Sequence, residues 1–320
     1  MPGDLPQFSD IIAAHKRIHK FVHQTPVLTS SGINDIFSSS LFFKCENFQK
    51  VGAFKFRGAT NAVLSLTEED AKMGVGTHSS GNHAAALALA ARMHGIQAHI
   101  VMPRTAPEIK KTAVRGYGGI ITWCEPTLES RETTMQEVVD KTGVTFVPPY
   151  DHFNIICGQG TAAMELIEET GELDIVLAPV GGGGLVSGTA ISTKGMLPST
   201  RVLAIEPEGA DDAYRSFTSG ILVPSVNPQT IADGLLTSLG ELTFRIILDK
   251  VDEVITVSED AIVAAMRMIW ERMKIVVEPS GAVPFAAIVE NKIDVAGKKV
   301  GLILSGGNTE LAKLPFKQES

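Results

Sequence analysis

Lys55 stands between Phe54 and Phe56 in a short stretch bounded by Gly52 and Gly58. Loss of water disfavours an ammonium ion, so an amine held in such a setting gains the neutral form that Schiff-base chemistry needs. The plainer reading is a lysine whose stem lies along apolar surface with its head in water. Three other stretches make the chemical reading worth pursuing. An apolar run at 175–180 leads into Gly181, Gly182, Gly183 and Gly184 and then into the helical pattern of 184–196. Four residues without Cβ atoms let backbone N–H groups close on a phosphate at the positive end of a helix dipole. At 75–83 another strand-like run ends in Ser79, Ser80, Gly81, Asn82 and His83. Those side chains and N–H groups suit a carboxylate, although they also suit a simple helix cap, and His83 by itself suits a packing role. The third run, 300–304, ends in Ser305, Gly306, Gly307 and Asn308. Ligands of open α/β sheets gather at the carboxyl ends of strands, so these turns together specify a site for one phosphate, one carboxylate and one amine.

Two alternatives bear on the same residues. Glu206 lies about 20 positions beyond the glycines, where a dinucleotide-binding unit places its ribose-binding acid, so an NAD-dependent dehydrogenase is the rival reading. The GxGxxG spacing fails in every register, because Gly181 and Gly183 are followed by Val186, and Gly182 and Gly184 by Ser187. The acidic cluster 206–212 supplies carboxylates and a carbonyl suited to a hard cation, or else forms a solvated loop.

The elements that position these turns are legible as alternation. Apolar, β-rich segments at 98–102, 120–123, 175–180, 201–205, 254–257 and 300–304 read as buried parallel strands. Between them, 81–94, 130–141, 158–170, 184–196 and 259–273 carry helical periodicity, some with Ser or Asp caps. The pattern predicts an α/β fold with open, mostly parallel sheets. Pro148 and Pro149 favour extended chain and mark a crossing point between two lobes.

Composition narrows the ligand class. The 320 residues are 44% hydrophobic and 20% charged, with a net charge of −8 and no basic run, which argues against nucleic acid or an anionic membrane as partner. Cys45, Cys124 and Cys157 are odd in number and far apart, as expected in a reducing compartment. With neither a signal-like N-terminus nor a 20-residue apolar run, the expectation is a cytoplasmic protein acting on small molecules.

The motifs, taken in order, resemble those of fold-type II pyridoxal 5′-phosphate (PLP) enzymes, in the branch of serine racemases and serine, threonine and 3-hydroxyaspartate dehydratases. The resemblance rests on 42–49, 53–58, 79–83, 124–126, 158–161, 181–184, 231–234 and 305–308 and covers nearly the whole chain. It implies two open, mostly parallel twisted sheets flanked by helices, as in the tryptophan synthase β-subunit. It further implies a large PLP-binding domain of residues 1–73 and 152–320, a small mobile domain of residues 74–151, and a homodimer.

Residue by residue, the resemblance makes Lys55 the Schiff-base lysine, Gly181 to Gly184 the phosphate cradle, Asn82 the neighbour of the ring hydroxyl and Phe54 a wall beside the ring. Ser305 is to face the pyridine nitrogen. A hydroxyl there leaves the ring largely unprotonated, a weaker electron sink that favours loss of a β-hydroxyl over transamination. Lys55 and Ser80 are the expected acid/base pair on opposite faces, with Ser79, Ser80, Gly81, His83 and Arg131 around the substrate. Glu206, the Ala210 carbonyl and Asp212 match a site for Mg²⁺, Mn²⁺ or Ca²⁺. The implied activity is elimination of water and ammonia from 3-hydroxyaspartate, serine or threonine, with serine racemisation as the alternative. The segments 44–48, 103–107, 148–153 and 206–214 look closest to the dehydratases. A second substrate carboxylate calls for a cation, Arg131 before His83. The chain ends soon after Asn308, so feedback by isoleucine through an appended domain is not expected.

Overall fold

A computed structural model of the chain describes residues 5–79, 81–106 and 108–316. Its strands are β1 (Val27–Leu28), β2 (Ser40–Cys45), β3 (Val75–His78), β4 (Ala98–Pro103), β5 (Ile120–Cys124), β6 (Thr145–Phe146), β7 (Ile175–Pro179), β8 (Arg201–Pro207), β9 (Glu253–Val257) and β10 (Lys299–Leu304). They form two sheets in the orders β1-β2-β10-β7-β8-β9 and β5-β4-β3-β6. Every pairing is parallel except that of β1 with β2. The α/β architecture with mostly parallel sheets is the one the alternating pattern predicts, and their number, two, is the one the family resemblance implies. The strands of the second sheet all fall between Val75 and Phe146.

Parallel strands need covering on both faces, and the apolar residues supply it. Leu41, Phe43, Leu177, Leu203, Phe285 and Leu302 pack on one side of the larger sheet, and Val176, Val186, Val202 and Ile303 on the other. A third cluster, with Phe56, Leu87, Ile100 and Met102, joins the smaller sheet to the helix Lys55–Leu64.

Register brings the turns together. Leu304 is level with Cys45 in the β10–β2 ladder, and Leu302 with Leu177 in β10–β7, so Ser305 emerges between the ends of β2 and β7. Phe54 N–H donates to the Ser305 carbonyl at 3.0 Å, and Ala53 bridges Gly306, which ties the start of the Lys55–Leu64 helix to the end of β10.

That helix is also clamped from behind. A Cβ on Gly158 would lie 2.6 Å from the Gly58 Cα, and one on Gly188 2.5 Å from the Gly160 nitrogen. The glycines of 158–161 therefore let the helices Lys55–Leu64, Phe153–Thr170 and Gly184–Met196 touch backbone to backbone. Beside this contact, Arg57, fully buried, donates to Glu46 and Glu165, each at 2.7 Å, and Lys44 donates to Glu165 at 2.7 Å. The two cations and two carboxylates balance, and Thr25 donates to Glu46 at 2.6 Å.

Among the described residues, no helix is long and apolar enough to cross a membrane.

Candidate active site

Lys55 is the first residue of its helix, and its Nζ donates to the Pro149 carbonyl at 2.7 Å. The amine lies 5.0 Å from the Phe54 ring centre. Phe56 turns instead into the core and is fully buried, so the amine is flanked by one phenylalanine rather than two. Loss of water pushes the lysine pKa down to about 8, against the opposing pull of the Glu278 carboxylate. The surroundings thus bring the neutral amine within about one pH unit of neutrality, with the ammonium form still in excess at pH 7.

The glycine turn follows β7 and opens the helix Gly184–Met196. Gly183 has φ +87, a left-handed conformation that a side chain would strain. The turn is also hemmed in from behind: a Cβ on Gly182 would lie 2.3 Å from the Tyr150 ring, and one on Gly181 2.8 Å from the Leu235 Cα. Thr243 donates its hydroxyl to the Gly182 carbonyl at 2.9 Å. The N–H groups of Gly181, Gly182, Gly183 and Gly184 meet no acceptor among the described residues. Buried donors at a helix N-terminus, with the carbonyl side tied off, form a cradle for an anion.

Asn82 begins the helix Asn82–Met93. Its Nδ2 donates to Glu278 at 2.9 Å, and its Oδ1 accepts from Asn308 Nδ2 at 2.9 Å. Gly81 N–H reaches the Ser79 hydroxyl at 3.4 Å. Ser80, the expected acid/base partner of Lys55, lies outside the described residues. Ser305 is buried at the end of β10, next to the chain that leads into Lys55.

His83, the weaker of the two expected cations, is held in one tautomer. Its Nε2 contacts the Val147 carbonyl at 3.1 Å, which requires that nitrogen to carry the proton, and its Nδ1 is buried without a partner. Burial, with Lys55 nearby, pushes its pKa down to about 3. A neutral ring whose only N–H is engaged cannot pair with a substrate carboxylate; it can only accept a hydrogen bond through Nδ1. Of the two candidate cations, Arg131 is the one that carries a permanent charge. It sits in the first turn of the helix Leu128–Thr142, and its Nε is buried with no hydrogen-bond partner. Burial lowers the pKa of His78, which ends β3 and precedes Ser79, with Glu132 opposing the shift and Arg131 adding to it.

The acidic cluster is not a loose loop. Glu206 lies near the end of β8, Ala210 in the 3-10 turn Glu208–Ala210 and Asp212 at the start of the helix Asp212–Ser219. Glu206 accepts from the N–H groups of Ala213 and Tyr214 at 3.0 and 2.9 Å, one on each oxygen, which fixes the carboxyl group in place. Burial raises Glu206 to about 9 and Asp212 to about 6. Both Asp212 oxygens are buried with no close hydrogen-bond partner, and oxygens of that kind suit a hard cation. Among the described residues no three or more His, Cys, Asp or Glu side chains gather as a metal centre.

Glu278 carries no signal in the sequence, yet it is 4% exposed and touches the site through Asn82 and the Asn308 N–H. A lone glutamate followed by Pro279 has no spacing that points to chemistry. Tyr150 was likewise visible only as part of a segment, and its contact with Gly182 emerges from the fold.

An amine with a lowered proton affinity, a cradle of unpartnered N–H groups and a half-buried amide form a constellation that fits an aldehyde bearing a phosphate. Comparison with known proteins agrees. The model of the family described as pyridoxal-phosphate dependent enzyme matches residues 18–306. A beta-hydroxyaspartate dehydratase of Paracoccus denitrificans is 52% identical over 98% of this chain and 99% of its own length. A serine racemase of Dictyostelium discoideum is 49% identical over 95% of each chain. The crystal structure of serine racemase from Dictyostelium discoideum superimposes with a TM-score of 0.91 at 49% identity, covering 96% of this chain and 99% of that one. Fold, site and family match together show that the chain belongs to the pyridoxal-phosphate dependent enzymes.

Proposed function

We propose that the chain is a PLP-dependent dehydratase, or ammonia-lyase, of β-hydroxy amino acids, with 3-hydroxyaspartate preferred and serine and threonine as lesser substrates. The buried, unpaired Arg131 Nε carries this reading. Serine and threonine bring a single carboxylate, whereas 3-hydroxyaspartate brings a second one to meet such a guanidinium. Likeness to a beta-hydroxyaspartate dehydratase at 52% identity supports it. The likeness at 49% to a serine racemase supports the second reading, inversion of serine.

When bound, PLP supplies an aldehyde for the substrate amine and a ring that withdraws electrons from the α-carbon. The chain's residues do the rest. The Gly181–Gly184 N–H groups hold the phosphate, Phe54 walls the ring, Ser305 faces its nitrogen and Asn82 its hydroxyl. The N-terminal turn of the Asn82 helix, with Ser79 and Gly81, holds the α-carboxylate, and Arg131 the distal one. Lys55, as a neutral amine, removes the α-proton. The β-hydroxyl then departs with a proton as water, and the enamine takes water back to give a 2-oxo acid and ammonia. Retaining the β-hydroxyl and returning the proton from the other face, the role assigned to Ser80, gives inversion instead. His83 Nδ1 can accept a hydrogen bond from the substrate but cannot offer one.

Residues 74–151 are proposed to close as a small domain over substrate held by the rest, consistent with a second sheet confined to that segment. Mg²⁺, Mn²⁺ or Ca²⁺ is proposed on Glu206, the Ala210 carbonyl and Asp212, away from the reacting atoms. The expected assembly is a cytoplasmic homodimer, which light scattering would check. The functional test is a panel of L- and D-serine, L-threonine and the 3-hydroxyaspartate stereoisomers, with 2-oxo acid release and α-proton exchange scored separately. Fastest 2-oxo acid release from a 3-hydroxyaspartate isomer is expected; serine inversion outpacing every elimination would reverse the assignment.

A further inference from the structure

Glu278 opens the helix Pro279–Val289 as its cap, and its backbone N–H donates to the Gly306 carbonyl at 3.0 Å. Its carboxyl group is buried and reaches across to Asn82, on the helix that follows β3 of the other sheet. One oxygen lies 2.9 Å from Asn82 Nδ2 and the other 3.3 Å from it. The second oxygen also accepts from the Asn308 N–H at 3.1 Å. Asn308 closes the ring of contacts, because its Nδ2 donates to Asn82 Oδ1 at 2.9 Å and to the Val51 carbonyl at 2.7 Å.

Two glycines make room for this arrangement. A Cβ on Gly306 would lie 2.6 Å from the Glu278 Oε1, and one on Gly52, at φ +70, would lie 2.7 Å from the Asn308 Oδ1. Both side chains therefore occupy space that neighbouring residues leave open.

The pattern removes the usual ambiguity of an amide. The Asn308 atom that meets Asn82 also meets the Val51 carbonyl and so must be the nitrogen, which makes its partner on Asn82 the oxygen and the Asn82 atom facing the carboxylate the nitrogen. The two N–H bonds of an amide nitrogen diverge widely, whereas both carboxylate oxygens lie to one side. A single N–H therefore serves Glu278 as a forked bond, and the second is left over. We propose that Glu278 and Asn308 are positioning residues: they orient Asn82 so that its remaining N–H is presented to the anionic ring oxygen of the cofactor. Sequence motifs point to Asn82 and Asn308 separately; the bracket that Glu278 completes is visible only in the fold.

This inference rests on the cofactor site described above, and its test keeps the two separable. The apo chain is titrated with PLP for the wild type, Asn82→Ala, Glu278→Gln and the double variant, and the ratio of the absorption bands of the bound cofactor is recorded. Glu278→Gln keeps the size of the side chain but sets an NH₂ against one of two donors. Loss of one oriented hydrogen bond to a charged acceptor is expected to weaken PLP binding about tenfold for each single variant. In the Asn82→Ala background, Glu278→Gln is expected to add less than about twofold, because residues acting through one contact are not additive. Both single variants are expected to shift the band ratio in the same direction. Equal, independent losses in the two backgrounds, or an unchanged spectrum in a folded Glu278→Gln chain, would overturn the proposal. Should the buried substitution unfold the chain, Asn308→Ala at an exposed position carries the same cycle with the same criteria. A wild-type chain that failed to bind PLP would sink the cofactor site itself, a distinct outcome.

Discussion

Lys55 and Arg131 illustrate how differently single residues disclose themselves. Lys55 is legible because two phenylalanines and two glycines surround it within seven positions, yet only Phe54 reaches the amine. Its lowered pKa has a kinetic consequence. The protonated amine cannot attack an aldehyde, so uptake of PLP by the apo chain is expected to rise about tenfold per pH unit below pH 8 and to level off above it. Stopped-flow absorbance checks this, and a plateau reached only near pH 10 would mean an unperturbed lysine. Arg131 is just one arginine among charged neighbours in the sequence, and its buried Nε becomes visible only in three dimensions. Arg131→Ala is expected to raise KM for 3-hydroxyaspartate about 10- to 100-fold while leaving that for serine nearly unchanged. Equal losses on both substrates would assign it a structural role. Glu278 is the residue that the sequence conceals most thoroughly, because nothing in its neighbours marks a carboxyl that faces two amides from the far end of the chain.

At the scale of elements, the strands with continuous apolar runs are read well, to within one or two residues at each end, and the helices Gly184–Met196 and Glu259–Met273 to the residue. What escapes is instructive. β2 carries Lys44 in its interior, and the helix Lys55–Leu64 carries Arg57, each fully buried where a pattern of hydrophobic periodicity expects apolar residues. Their charges are met by Glu46 and Glu165 on other elements, a pairing that local sequence does not show. Removing one partner strands the others without water. Glu165→Gln is therefore expected to destabilise the chain by about 3 to 5 kcal/mol in denaturant unfolding, far more than the loss of a surface pair. The glycine turn makes a second test. Gly183→Ala forces a side chain into a left-handed backbone and against Thr243, so a cost of ~1 to 2 kcal/mol from the backbone alone is expected, together with weaker PLP binding.

For the molecule as a whole, polar ties as well as the apolar cluster around Phe56 and Leu87 link the two sheets. Asn82 reaches Glu278 and Asn308, Lys110 reaches Asp233 at 2.6 Å, and Lys55 reaches the Pro149 carbonyl. Alternation of strands and helices reveals mostly parallel sheets, but not which strand edges adjoin, since β10 inserts between β2 and β7 from the far end of the sequence. The convergence of Ser305, the glycine turn and Lys55 is a consequence of that insertion. The acidic cluster acts on the same scale, because it joins β8 to the helix that follows it. A cation bound only by the folded chain, at a hundredfold excess over its Kd, adds about 2.7 kcal/mol, and Mg²⁺ is thus expected to raise the melting temperature on the order of 5 °C. Asp212→Asn is expected to abolish the shift, and an undiminished shift would place the ion elsewhere.

One amine, that of Lys55, is to condense with the cofactor. Borohydride reduction of the PLP-loaded chain, followed by peptide mass mapping, tests it directly. The reduced pyridoxyl group is predicted on the peptide containing Lys55 and nowhere else, and the Lys55→Ala chain is predicted to stay unlabelled. Label on any other lysine, or none on a loaded wild-type chain, would contradict the account.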